Sequence, residues 1–252
     1  MEESIKDIKA KFNALDNDGL KAFMDEYCAD NRSGVIALRE KAARLLEKHN
    51  AEIDRTKRML SYEKEYDGYM AICGIDEVGR GPLAGPVVAG AVILPKDDMI
   101  LYLNDSKQLT AAKRDELYDV IRERAVAYAV GIVDHVRIDE INILQATYEA
   151  MRSAIMNLAV KPDILLNDAV TIPGVDIRQV PIIKGDAKSC SIAAASIIAK
   201  VTRDRMMEEM DEKYPGYGFA SNKGYGSAEH IKAIKELGPS TIHRRTFIKN
   251  FI

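Results

Sequence analysis

The chain has 252 residues, 47% of them apolar and 30% charged, which is enough to bury a sizeable core and excludes an intrinsically disordered protein. Lys+Arg 36 against Asp+Glu 39 gives a net charge of −3, which excludes a polybasic protein but still permits a local basic face for nucleic acid. No apolar run is long enough to cross a bilayer, the charged start MEESIKDIKAKF is no secretory signal, and Cys28, Cys73 and Cys190 are odd in number and widely spaced. The expectation is a cytoplasmic protein without a membrane partner, disulfide framework or zinc site.

Residues 1–66 are dense in Ala, Leu and Lys and contain no proline. Ile5, Ile8, Phe12 and Leu15 recur at helical spacing, as do Leu20, Phe23, Met24 and Tyr27. Asp16 or Asn17 can cap the second helix, and a third, longer pattern runs from Val35 to about Leu60 after Arg32-Ser33. This is a small helical module, read either as a solvated extension or as a substrate-gripping element. From residue 70 the texture becomes α/β. Apolar runs at 70–75, 86–94, 125–133, 163–167 and 180–183 predict five strands; 111–124, 139–158, 189–214 and 228–237 predict helices. Early strands arriving together suggest antiparallel pairing, and the later alternation with helices suggests parallel additions. The expected fold class is α/β, a mixed five-stranded sheet flanked by helices over 70–252, with a small all-α domain before it.

The most informative segment is Asp76-Glu77-Val78-Gly79-Arg80-Gly81-Pro82-Leu83-Ala84-Gly85-Pro86. Two acids close a core strand, where burial is costly unless a cation offsets the charge, and hard divalent ions prefer carboxylate oxygens. Consecutive strand residues point to opposite faces, so Asp76 and Glu77 share an ion only if the strand ends or twists there. The glycines that follow permit a turn and close backbone approach to a ligand. Asp168 also stands at a strand end, Asp186 lies between a strand and a long helix, and Asp105-Ser106-Lys107 is a polar turn. Taken singly, each has a surface or capping role as its simpler reading. Lys184, Lys188, Lys200, Arg203 and Arg205 surround the small-residue run Ser189 to Ala199, whose serines could meet a phosphate at a helix start. Tyr225, framed by Gly224 and Gly226, suits stacking on a sugar or base, or is a loop tyrosine laid on the surface. His243-Arg244-Arg245 adds positive charge, and the four histidines show no metal spacing.

Together these stretches resemble the type 2 ribonucleases H, specifically the bacterial ribonuclease HII family. Asp76 to Pro86, Asp105-Ser106-Lys107, Asp168, Lys184-Gly185-Asp186, Ser191 to Ser196, Lys200 to Asp204, Asn222 to Gly226 and His243-Arg244 occur in the family's order. The similarity spans about residues 70 to 247, and residues 1–66 resemble an N-terminal extension carried by some members. The resemblance implies an RNase H-like fold and a metal-dependent endonuclease. Its implied catalytic and metal-binding acids are Asp76, Glu77, Asp168 and Asp186, holding two Mg²⁺ or Mn²⁺ ions. Gly79, Arg80 and Gly81 would clamp the ribonucleotide, Tyr225 would stack on the sugar beyond the junction, and Ser106, Lys107, Lys184 and Ser189 would contact phosphates. The implied partners are RNA–DNA hybrids and DNA duplexes containing ribonucleotides, bound by a monomer. Two rivals are another metal nuclease or strand-transfer enzyme on the same fold, and a binding protein that has lost catalysis.

Overall fold

The computed structural model describes residues 3–250, so the outermost residues of both predicted segments, 1–2 and 251–252, lie outside it. Contacts divide the chain into two compact units, one ending at Arg58 and the other beginning at Met59. The first unit is helical: α1 (Ile5–Asn13), α2 (Gly19–Glu26) and most of α3 (Ser33–Met59). Ser4 caps α1 by accepting the Asp7 N–H, and Asp16 Oδ1 accepts the Gly19 N–H at 2.9 Å, as expected for a residue at the start of α2. Ile8, Phe12, Leu20, Phe23, Tyr27, Val35 and Ala42 form its core, with Phe12 and Phe23 packed edge to face.

The second unit opens with α4 (Ser61–Glu65) and is built on β1 (Ile72–Val78), β2 (Val87–Ile93), β3 (Ala127–Val133), β4 (Ile164–Asp168) and β5 (Arg178–Ile182). The order is β3-β2-β1-β4-β5; β1, β2 and β3 pair antiparallel, and β4 and β5 add in parallel. This is the expected mixed sheet. Pro181, which lacks an N–H, sits on the β5 edge strand. Helix α5 (Ala111–Arg124) and helix α7 (Cys190–Lys213) cover one face, and α6 (His135–Met156) covers the other. Helix α6 starts four residues before the predicted 139 because Asp134 caps it, accepting the Arg137 N–H. It is interrupted at Asn142 (φ 66°), whose Oδ1 accepts the N–H groups of Leu144 and Gln145 and so caps a second helical segment. Short helices α8 (Phe219–Asn222), α9 (Ala228–Leu237) and α10 (Arg245–Ile248) complete the unit.

The alternation of β1 decides what faces what. Cys73 and Ile75 join the core under α6, whereas Gly74 and Asp76 point toward α7. A Cβ at Gly74 would overlap the Ser191–Ile192 backbone, so glycine there lets the start of α7 lie directly on the sheet.

Candidate active site

Four acids gather at one end of the sheet. Asp76 lies on β1, only 7% exposed, and its Oδ1 accepts the Glu77 N–H at 2.8 Å. The Ser196 hydroxyl of α7 faces this carboxyl and favours its charged form. Burial pushes the Asp76 carboxyl well above the usual carboxylate range, and the charges of Glu77 and Asp168 add to the push. Glu77 is still part of β1 and half-buried, with Arg80 Nη1 at 3.1 Å from its Oε1. Burial raises its pKa as well, Arg80 opposes the rise, and Asp168 adds to it.

Asp168 stands one residue beyond the Ile75–Asn167 pairing of β1 with β4, and is therefore alongside Asp76. Its Oδ1 accepts the Gly185 N–H at 2.7 Å, which ties it to the short 3-10 turn Gly185–Ala187 carrying Asp186. Burial raises the Asp186 pKa, followed by the charges of Asp105 and Asp168, with Lys107 opposing. Thus the Asp105–Lys107 turn faces Asp186, and Asp168 acts on each of the other three acids. Among the described residues no lysine or arginine forms an ion pair with Asp76, Asp168 or Asp186, and no three His, Cys, Asp or Glu side chains stand close enough to ligate one ion. Desolvated, mutually repelling hard-oxygen donors, of which only Glu77 is paired with a protein cation, are the chemistry a divalent metal satisfies, so the donor types fit one although no three of the side chains are close enough together to share it.

Beside the acids runs the glycine loop. Gly79 has φ 91°, and a Cβ on it would strike the Arg203 side chain. Arg203 and Arg244 are both fully buried. Arg203 donates to the carbonyls of Ala84, Pro86 and Lys223, and Arg244 to those of Gly79, Arg80, Gly85 and Pro86. The expectation that these arginines add to an anion-binding face is therefore corrected: their donors are spent on holding the loop. Arg80 and Gly81 stay exposed at its tip, and a Cβ on Gly81 would lie 3.8 Å from Tyr225 Cε1. Tyr225 is 41% exposed.

The expected phosphate contacts divide into two groups. Lys107 and Lys184 are exposed, the latter with a left-handed backbone at φ 56°. Ser106 and Ser189 are buried. The Ser106 hydroxyl lies 2.9 Å from that of Ser196, linking the Asp105–Lys107 turn to Asp76. Ser189 caps α7 and donates to Glu63 Oε1 at 2.6 Å; the same oxygen accepts from Ser191 N and Oγ at 2.9 and 2.8 Å. The anion at this helix start is the protein's own glutamate. Sequence reasoning missed Glu63, Ser196 and the structural work of Arg203. A signal for the last two exists: Ser189, Ser196 and Arg203 recur every seven residues, which places polar groups on the buried stripe of α7. Nothing local marks Glu63, 126 residues from its partner.

A mixed sheet with acids toward one end of its two central strands, next to a glycine-rich loop, is the arrangement of the RNase H-like class. Comparison with known proteins agrees. The model of the ribonuclease HII family matches residues 73–250, and that of the ribonuclease HII N-terminal domain matches residues 4–67. A ribonuclease HII of Lachnoclostridium phytofermentans is 62% identical over 250 residues, covering 99% of this chain and 98% of that protein. One of Clostridioides difficile is 51% identical over 253 residues, covering 100% and 99%. The crystal structure of the ribonuclease H2 from Pyrococcus horikoshii OT3 superposes with a TM-score of 0.60 at 30% identity, covering 72% of this chain and 97% of that one. The chain belongs to the ribonuclease HII family, and it is a hydrolase with ribonuclease H activity.

Proposed function

We propose that the enzyme hydrolyses the RNA strand of RNA–DNA hybrids and nicks duplex DNA on the 5′ side of a single embedded ribonucleotide, leaving 5′-phosphate and 3′-hydroxyl ends. The observation that carries this reading is the convergence of Asp76, Glu77, Asp168 and Asp186 beside an exposed Arg80–Gly81 tip and Tyr225. Asp76, Glu77, Asp168 and Asp186 would hold two divalent ions, Mg²⁺ or Mn²⁺, which when bound supply Lewis-acid activation of water and neutralise phosphate charge. Until the acids are neutralised they repel the polyanionic substrate, so binding and chemistry are coupled.

The chain's own groups do the positioning. Gly185 fixes one oxygen of Asp168, and the Glu77 N–H fixes one of Asp76. Backbone groups of Gly79, Arg80 and Gly81 read the 2′-hydroxyl, the one feature separating RNA from DNA at a single position, without touching the base. Tyr225 stacks on the neighbouring sugar, and Lys107 and Lys184 meet phosphates at the rim. Residues 1–66 grip the duplex. Incubating a DNA duplex bearing one ribonucleotide with Mn²⁺, with Mg²⁺ and with chelator tests this. One nick on the 5′ side of the ribonucleotide, absent with chelator and absent from an all-DNA duplex, is expected; equal cutting of all-DNA duplex would refute it.

A further inference from the structure

Behind Tyr225 lies a pair of buried imidazoles with no part in the chemistry above. His230 and His243 are both fully buried, packed against the rings of Tyr217 and Phe219. Their hydrogen bonds form one chain. His230 Nδ1 lies 2.8 Å from the Tyr225 carbonyl, which can only accept, so Nδ1 carries the proton. His243 Nδ1 lies 2.9 Å from the Ser240 N–H, which can only donate, so the His243 proton is on Nε2. The two Nε2 atoms are 3.0 Å apart, and His243 therefore donates to His230. With both rings neutral every ring nitrogen has a partner, and the order Ser240 to His243 to His230 to Tyr225 runs in one direction.

The neighbouring residue completes the arrangement. Arg244 takes the carbonyls of Gly79 and Arg80, while Ala84 bridges His243 in a short antiparallel contact. The adjacent residues His243 and Arg244 thus reach one to each side of the candidate ribose sensor: Arg244 to the glycine loop, His243 through His230 to Tyr225.

We propose that the His230–His243 pair is a positioning element that sets Tyr225 against Gly81 and thereby determines preference for a single ribonucleotide in DNA. This rests on the reading of Tyr225 as part of that sensor. Asparagine can place a donor where His230 Nδ1 stands, and phenylalanine keeps a ring without one, so the two substitutions separate the hydrogen bond from the packing.

The test measures kcat and KM of the full chain on a DNA duplex with one ribonucleotide and on a uniform RNA–DNA hybrid, and takes the ratio of kcat/KM. His230→Phe should lower that ratio about fivefold or more, the cost of roughly one hydrogen bond, in the same direction as Tyr225→Ala. His230→Asn should keep it within about twofold of wild type even if its melting temperature falls as far. Equal loss in His230→Phe and His230→Asn would overturn the positioning role in favour of simple packing. A lowered ratio in Tyr225→Ala with none in His230→Phe overturns this inference alone. An unchanged ratio in Tyr225→Ala overturns the sensor reading and this inference with it. Should His230→Phe not fold, His243→Leu against His243→Gln asks the same question one bond further back, with loss expected in the first and retention in the second.

Discussion

A carboxyl buried under a helix beside two other acids destabilises the metal-free protein that carries it, and Asp76 is in that position. Asn keeps the acceptor for the Glu77 N–H and removes the charge. Asp76→Asn should therefore lose at least about a hundredfold in kcat, since even outer partners of metal ligands are worth ~10–100-fold, while melting no lower than wild type in chelator. Activity in Mg²⁺ and a thermal melt in chelator check both halves. His243 titrates in the opposite sense to the acids. Burial, with the His230 and Arg245 charges adding, pushes it from 6.5 down to about 4. As pH falls through 6.5 the unfolded chain binds a proton that the folded chain refuses until about 4. The stability is fully present above that window, is withdrawn across it and stays lost below. Buried acids with raised pKa values gain stability over part of the same range. The melting-temperature difference between wild type and His243→Gln across pH 7 to 4 isolates the histidine, and should shrink as pH falls.

At the scale of elements, β1 and α7 carry the site between them. Close approach depends on Gly74, so Gly74→Ala should cost about 2 kcal/mol or more, because a backbone cannot yield as a side-chain tip can. Urea denaturation measures it, and a change below about 0.5 kcal/mol would mean that the helix can lift without penalty. The start of α7 has a second support in Glu63, which accepts three hydrogen bonds from Ser189 and Ser191. Removing a helix-capping acceptor costs ~0.5–2 kcal/mol, so Glu63→Ala should destabilise by that amount, with Glu63→Gln intermediate because a neutral amide lacks the charge that favours a helix N-terminus.

For the whole molecule, the place of the cut matters. The first compact unit closes at Arg58, and Met59 and Glu63 pack within the second, so cuts after 58 and after 66 remove different things. Deleting residues 1–58 should leave cleavage chemistry intact and weaken duplex binding. Deleting 1–66 should in addition lower the melting temperature, because it removes the Glu63 cap. Binding isotherms and melts of both truncations check this; unchanged affinity in the shorter deletion would leave the extension a passive one. Among the described residues no helix is long and apolar enough to cross a membrane.

Local patterns were enough to read the five strands, the helix spans 111–124 and 228–237, the antiparallel-then-parallel order and Asp168 at a strand end, because periodicity and capping are properties of a few adjacent residues, whereas β1 runs on through Asp76 and Glu77 to Val78, where they were expected to close it. The site was legible only as a set of candidates. That Asp168 lies next to Asp76 follows from a register between strands about ninety residues apart, which no local signal encodes. The buried partners of Arg203, Arg244, Ser106 and Ser189 went unread for the same reason: a charged or hydroxyl side chain reads alike in sequence whether it faces solvent or a buried partner. Chemical type and order are written in the chain itself, whereas burial and partnership arise only when distant segments pack, and those decided which cations hold the loop and which stay exposed at its rim.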